Sequence, residues 1–190
     1  MVKFLLYVTG AAAAALTPLN LLTFDALRPD DELRVVLSRT AETFVTTRTC
    51  AAGNRTVSRD CWETDEAVHL PFAAWPDVVI VYPATLDFLG RLRSGVTNTP
   101  MMLALQCTAA AVYLCPALPP GAENSPAFRA VQEFAAQHSQ YRLVDTAPGY
   151  SLAMNADAGR APAAFAEVLE LCGAQPTRAE AVRWTATAST

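Results

Sequence analysis

Residues 77–83, Asp-Val-Val-Ile-Val-Tyr-Pro, constrain the fold more than any other stretch of the chain. Val78 to Tyr82 are apolar without a break. A strand with one wet face alternates polar and apolar residues, so an unbroken run means burial on both faces. That environment is the middle of a parallel sheet covered by helices on both sides. Parallel neighbours require long crossover connections, so helices must alternate with strands along the chain.

The remaining pattern supplies that alternation. Strands are predicted at 2–8, 32–38, 77–83, 110–118 and 141–146. Helices are predicted after Gly10 and at 39–47, 85–95, 99–109, 126–138 and 163–173. Thr85 is placed to cap one helix and Gly95 to stop it, and Pro100 suits the first turn of the next. Residues 48–68 are polar and read as a loop or irregular insertion. Residues 147–162 are rich in Gly and Ala. Two readings stand for them: a mobile surface loop, or a flap folding over a bound chain. The predicted architecture is α/β, a doubly wound parallel sheet of Rossmann-like or flavodoxin-like type, in one domain over 1–174 with a polar tail at 175–190.

The opening stretch has two readings of its own. Lys3 followed by apolar and small residues has the look of a secretory signal. Against this, Thr9-Gly10 interrupts the apolar run early, and apolar residues continue through Leu27 with no fresh polar start. The run is also too broken for a membrane span. Strand, tight turn and helix is the better reading.

Composition narrows the function classes. With 52% hydrophobic and 17% charged residues the chain is globular rather than disordered. The net charge is −4, Lys3 is the only lysine, and Lys and Arg form no cluster, so neither nucleic acid nor an anionic membrane is an expected partner. The five cysteines are scattered without a CxxC and the two histidines lie far apart, so no metal site is expected. An odd count without a framework suits a reducing, cytoplasmic compartment. Cys107 and Cys115 sit in apolar runs and read as core, as does Cys172. Trp75 reads as core or interface, and His138 as a solvated surface residue.

In a doubly wound sheet ligands sit beyond the carboxyl ends of the strands. Three predicted strand ends meet there: Thr9-Gly10-Ala11, Ser38-Arg39-Thr40 and Pro83-Ala84-Thr85. Each offers a glycine or a hydroxyl beside a helix start, an arrangement that holds a phosphate without a lysine loop. There is no GxGxxG and no GxxxxGK[ST], which disfavours a standard dinucleotide or nucleoside-triphosphate site. His69 lies just upstream of the central strand; on its own it reads as structural more readily than catalytic.

Four stretches, in this order, carry a resemblance: "VTGAAAA" (8–14), "VVLSRTAETFV" (35–45), "HLPFAAWPDVVIVYPATLDFLGRLRSG" (69–95) and "YLCPALPPGAENSP" (113–126). They resemble the homo-oligomeric flavin-containing cysteine decarboxylases over about residues 3 to 126. The first matches that family's strand-Gly-Ser opening, and the second its second strand and helix. The third, the most specific, matches an active-site His followed by Trp-Ala-Asp, a hydrophobic strand, a Pro-Ala-Ser-Ala-Asn-Thr motif and a helix ending in Gly. The fourth occupies the place of a Pro-x-Met-Asn motif. The "PATLD" variant is similar to the branch that tailors linaridin, thioamide and lanthipeptide precursors.

The resemblance implies FMN, held by Gly10, Ala11 and Ala12, by Ser38, Arg39 and Thr40, and by Pro83, Ala84, Thr85, Leu86, Asp87 and Phe88. It implies His69 as the catalytic histidine and Asp87, Ala117, Leu118, Tyr150 and Met154 as substrate contacts. It implies a homotrimer or homododecamer with the flavin near a subunit interface. The reaction would be oxidative decarboxylation of the C-terminal cysteine of a ribosomally made precursor peptide, giving an aminoenethiol. Flavin oxidation of the thiol to a thioaldehyde creates the electron sink that loss of CO2 needs, and an imidazole suits the accompanying proton transfer. Three departures stand out. Ala11 replaces the family Ser. Asp87 and Phe88 replace Asn and Thr, so an ionised Asp87 would repel a substrate carboxylate unless it is protonated or points elsewhere, or the carboxylate is held differently. Pro119 replaces an Asn whose amide the coenzyme A-pathway member uses on its substrate, which disfavours that substrate. A non-catalytic flavoprotein subunit of the same fold is the alternative; flavin prenyltransfer is disfavoured by "HLPFAAW".

Overall fold

The strand at 77–83 does hold the middle of a parallel sheet. The computed structural model describes residues 1–62, 66–151 and 154–173. Its strands are β1 (Lys3–Val8), β2 (Glu32–Leu37), β3 (Val57–Arg59), β4 (Val78–Thr85), β5 (Ala111–Ala117), β6 (Tyr141–Leu143), β7 (Thr146–Ser151) and β8 (Ala156–Pro162). Its helices are α1 (Thr17–Leu27), α2 (Thr47–Cys50), α3 (His69–Ala74), α4 (Leu86–Arg93), α5 (Pro100–Cys107), α6 (Pro126–Gln137) and α7 (Phe165–Gly173). Six strands form one sheet in the order β3-β2-β1-β4-β5-β6, every pair parallel. This is the doubly wound Rossmann order.

Because successive side chains alternate across a strand, β1 feeds two cores. Phe4, Leu6 and Val8 join Phe24 of α1 and Phe165 and Val168 of α7 on one face. Leu5 and Tyr7 join Phe88 of α4, Met101 and Met102 of α5, and Val131 of α6 on the other. Both faces of the sheet are therefore dry, as the unbroken apolar runs require.

One buried acid ties the second core to the sheet edge. Asp60, 6% exposed, accepts the Tyr7 hydroxyl at 2.6 Å and the Met101 N–H at 2.8 Å. Met101 lies in the first turn of α5, where backbone donors lack helical partners and negative charge is favoured. Burial and the neighbouring carboxylate push the Tyr7 hydroxyl well above its usual pKa. Asp60→Ala leaves both donors buried and unmet, and should cost about 3 kcal/mol. Urea denaturation measures this directly; an unchanged midpoint would mean that water replaces the carboxylate.

The structure corrects several boundaries. The expected helix at 39–47 is a 3-10 turn at Ala41–Thr43 followed by the separate α2. Thr46 is extended (φ −97°, ψ 152°) and its hydroxyl accepts the Thr49 N–H, so it starts a new helix rather than continuing one. The supposed irregular segment 48–68 contains the end of α2 and the three-residue edge strand β3, too short to show a period. Of the stretch 147–162, the described residues up to Ser151 and from Ala156 pair as an antiparallel hairpin, β7 against β8, rather than a loop. Its Gly, Ala and Pro content carries little β propensity; pairing makes the strands. Gly149 is required there, because a Cβ would sit 2.7 Å from the Ala161 nitrogen and Cβ. Cys107, read as core, is exposed at the end of α5, whereas Cys115 and Cys172 are buried. Burial pushes the Cys172 thiol up to about 12. Trp75 is half-buried, with the Arg34 guanidinium 3.9 Å above its ring. The tail at 175–190 lies outside the described residues.

Candidate functional site

The chain leaves β1 toward β2 and leaves β4 toward β5, so the connections diverge and open a crevice between the two strand ends. A buried threonine spans that point. The Thr9 hydroxyl donates to the Pro83 carbonyl at 2.7 Å and accepts the Thr85 N–H at 3.0 Å. The next residue must be glycine, since a Cβ on Gly10 would lie 2.3 Å from Thr40 Cγ2 and 2.5 Å from Thr40 Cβ. The β2 loop is in turn held by Ser38, whose hydroxyl accepts the Ala41 N–H at 3.1 Å. Thr85 caps α4 as expected, accepting the Phe88 N–H at 3.2 Å.

Beyond these strand ends lies a cleft of about 670 Å³. Gly10 to Ala13 form one wall, with Phe44 beside them; Thr85 to Asp87 and Ala117 to Pro120 continue it. The β7–β8 hairpin closes the far side through Gly149, Tyr150, Met154 and Gly159 to Pro162. The hairpin is fastened to the end of β5 by a pair of backbone hydrogen bonds between Leu118 and Arg160, at 2.9 and 3.1 Å.

The cleft fits a flavin nucleotide. Its volume lies in the range of small-molecule and cofactor sites. Ala11, Ala12 and Ala13 let a ligand approach the backbone, and the helical segment running from Ala12 into α1 begins with N–H groups that have no partner within it. Leu86, Leu118, Pro119 and Phe44 offer apolar surface to a planar ring.

Of the residues named from sequence, Gly10, Ala11, Ala12, Thr85, Leu86, Asp87, Ala117, Leu118, Tyr150 and Met154 all line this cleft. The others stand apart from its walls. Ser38, Arg39 and Thr40 form the loop behind Gly10, with Arg39 and Thr40 exposed. Pro83 and Ala84 are buried, and Pro83 contributes its carbonyl to Thr9. The Phe88 ring is wholly buried, edge-on to Tyr7 at 5.6 Å. Asp87 lines the cleft with its carboxylate engaged one turn on along α4 by Arg91, at 2.9 and 3.1 Å. Sequence reasoning missed Gly149 and the β8 residues because the hairpin itself was not legible, and it missed Ala13, Phe44, Pro119 and Pro120, which carry no polar group to mark them.

His69 is not among the cleft-lining residues of its own chain. It opens α3, its ring edge-on to Trp62 at 5.7 Å, and its Nδ1 is buried with no hydrogen-bond partner among the described residues. Trp62 donates its indole N–H to the Asn98 carbonyl at 3.0 Å. Among the described residues no group of three His, Cys, Asp or Glu is placed to hold a metal, and no helix is long and apolar enough to cross a membrane.

A Rossmann-ordered sheet with an apolar, glycine-walled cleft at its switch point defines a cofactor-binding α/β protein. The model of the Flavoprotein family matches residues 1–171, and the chain belongs to that family. It is 27% identical over 117 residues to the cypemycin cysteine dehydrogenase (decarboxylating) of Streptomyces sp, a match covering 60% of this chain and 62% of that protein. It is 33% identical over 95 residues to the coenzyme A biosynthesis bifunctional protein CoaBC of Haemophilus influenzae, covering 48% of this chain and 24% of that protein. The chain thus spans about a quarter of the length of that curated relative. Among solved structures it is similar to the FMN-dependent cysteine decarboxylase SpaF, with a TM-score of 0.76 and 19% identity over 89% of this chain and 93% of that one. At that identity the likeness establishes the fold.

Proposed function

We propose that this protein is an FMN-dependent decarboxylase acting on the C-terminal cysteine of a ribosomally made precursor peptide. The observation that carries the reading is the composition of one cleft: the Gly10 turn and the start of α4 form its cofactor side, and the β7–β8 hairpin forms its other side. A peptide tail lying under the hairpin would end against a bound flavin. The names of the cypemycin and SpaF relatives agree with decarboxylation of a cysteine.

The FMN phosphate would lie at the Gly10–Ala13 turn, and the ring against Leu86, Leu118 and Pro119. Bound flavin supplies a two-electron oxidation of the cysteine thiol to a thioaldehyde, which gives the electrons left by departing CO2 a sulfur to move onto. The chain's own residues bind, orient and exclude water. The hairpin, through Tyr150 and Met154, shields the reacting cysteine, and Asp87, engaged by Arg91, leaves a substrate carboxylate unopposed. His69 takes the proton released during oxidation, its free Nδ1 being the accepting or orienting atom. Since His69 does not line its own cleft, in this reading it serves the cleft of a neighbouring copy in a homo-oligomer.

The test is mass spectrometry of a short peptide ending in cysteine, incubated aerobically with the purified yellow protein. Loss of two hydrogens and CO2 is expected. Bound flavin with no mass change across a broad peptide panel would favour a non-catalytic flavoprotein subunit.

A further inference from the structure

Among the described residues the cleft is lined by one acid and one base. The acid, Asp87, is already paired with Arg91. The base is Arg160 on β8, and among the described residues its guanidinium has no ion pair and no hydrogen bond. Arg160 is half-buried and lines an apolar cleft, and a guanidinium with no anion beside it lacks the partner that its planar fork holds bidentately. Its place is set by backbone rather than by side-chain packing: the Arg160 N–H and carbonyl both pair with Leu118, one residue before Pro119.

We propose that Arg160 is the residue that binds the C-terminal carboxylate of the substrate peptide. This rests on the peptide-decarboxylase reading above. The competing role is that of a cofactor phosphate ligand. Arg160 pairs at the end of β5, whereas the Gly10 turn follows β1, two strands away and so about 10 Å across the sheet. The two backbones thus stand at different parts of one cleft, and the flavin content of an Arg160 variant tells the two roles apart. Pro119 offers no side-chain donor at this end of the cleft, and the guanidinium supplies the charge and the paired N–H groups instead. The hairpin then has a second task besides covering: its pairing with Leu118 holds in place the cation that fixes the peptide end.

The experiment uses the flavin-loaded protein with two peptides identical except that one ends in cysteine acid and the other in cysteine amide. Binding is followed by the change in flavin absorbance and turnover by mass spectrometry. Wild type should bind the acid about ten- to a hundredfold more tightly than the amide. Arg160→Gln should keep the wild-type flavin content, raise KM for the acid by a similar factor, and bind acid and amide alike. Arg160→Lys should recover part of the preference. If Arg160→Gln loses flavin, the guanidinium holds the phosphate and the proposal falls. If it keeps flavin and still prefers the acid as wild type does, another group holds the carboxylate and the proposal again falls. If wild type binds and converts neither peptide, the peptide-decarboxylase reading itself fails, and this role with it.

Discussion

Gly10→Ala should give a protein that folds with reduced stability and is colourless after purification. The added methyl would stand 2.3 Å from Thr40 Cγ2 and 2.5 Å from Thr40 Cβ, and 3.1 Å from the Thr40 carbonyl carbon. A Cβ and a carbonyl carbon cannot rotate away, so the β1 and β2 loops must separate. Overpacking of this kind costs about 1–3 kcal/mol, which a doubly wound sheet with two full cores survives. The separation moves the Gly10–Ala13 wall of the cleft, where backbone N–H groups must meet a phosphate within hydrogen-bond distance. The ratio of flavin to protein, read from the visible and ultraviolet absorbance, measures the effect. Thr40→Gly removes both offending side-chain atoms, so the double variant should regain flavin. A yellow Gly10→Ala protein at wild-type stoichiometry would show that this turn is not the cofactor's cradle.

His69→Asn should behave in the opposite way: flavin retained, peptide conversion reduced about a hundredfold or more. The flavin should stay because His69 contributes nothing to the walls of its own cleft. A structural role for the ring, packed on Trp62, would instead show as lowered stability with turnover per folded protein unchanged. Mixing decides whether the histidine acts between copies. His69→Asn chains have an intact cleft, and Gly10→Ala chains have an intact histidine. Oligomers reassembled from both should regain activity that neither shows alone. Mixtures that stay inactive while forming mixed oligomers would mean that His69 works within one chain, after a movement of α3.

The doubly wound sheet was legible because burial on both faces writes itself locally: Val78 to Tyr82 and Leu5 to Val8 are apolar without interruption. A helix start with a side-chain cap was legible for the same reason. Thr85 accepts a backbone N–H three residues on, as read from sequence, and the structure adds Thr99 and Ser125 as caps of the same kind. The Gly10 turn and the start of α4 follow from these, and with them the strand-end half of the cleft. The match over residues 1–171 places the whole of this sheet within the Flavoprotein family.

The hairpin half could not be read in this way. β7 and β8 have no apolar alternation, and their strands exist because Gly149 closes on Ala161 and Arg160 pairs with Leu118. The pairing of Asp87 was equally open, since a carboxylate at that position can stand free in the cleft or pair along its own helix; the distance to Arg91 shows the pair. The sequence by itself determined what burial period, caps and punctuation dictate, namely the sheet, its helices and the turn where a phosphate fits. Only the tertiary structure decided that the hairpin closes the cleft, that Arg160 enters its wall without an acid beside it, and that His69 stands outside. Those facts depend on contacts between residues far apart in the chain, whose distances no local pattern encodes.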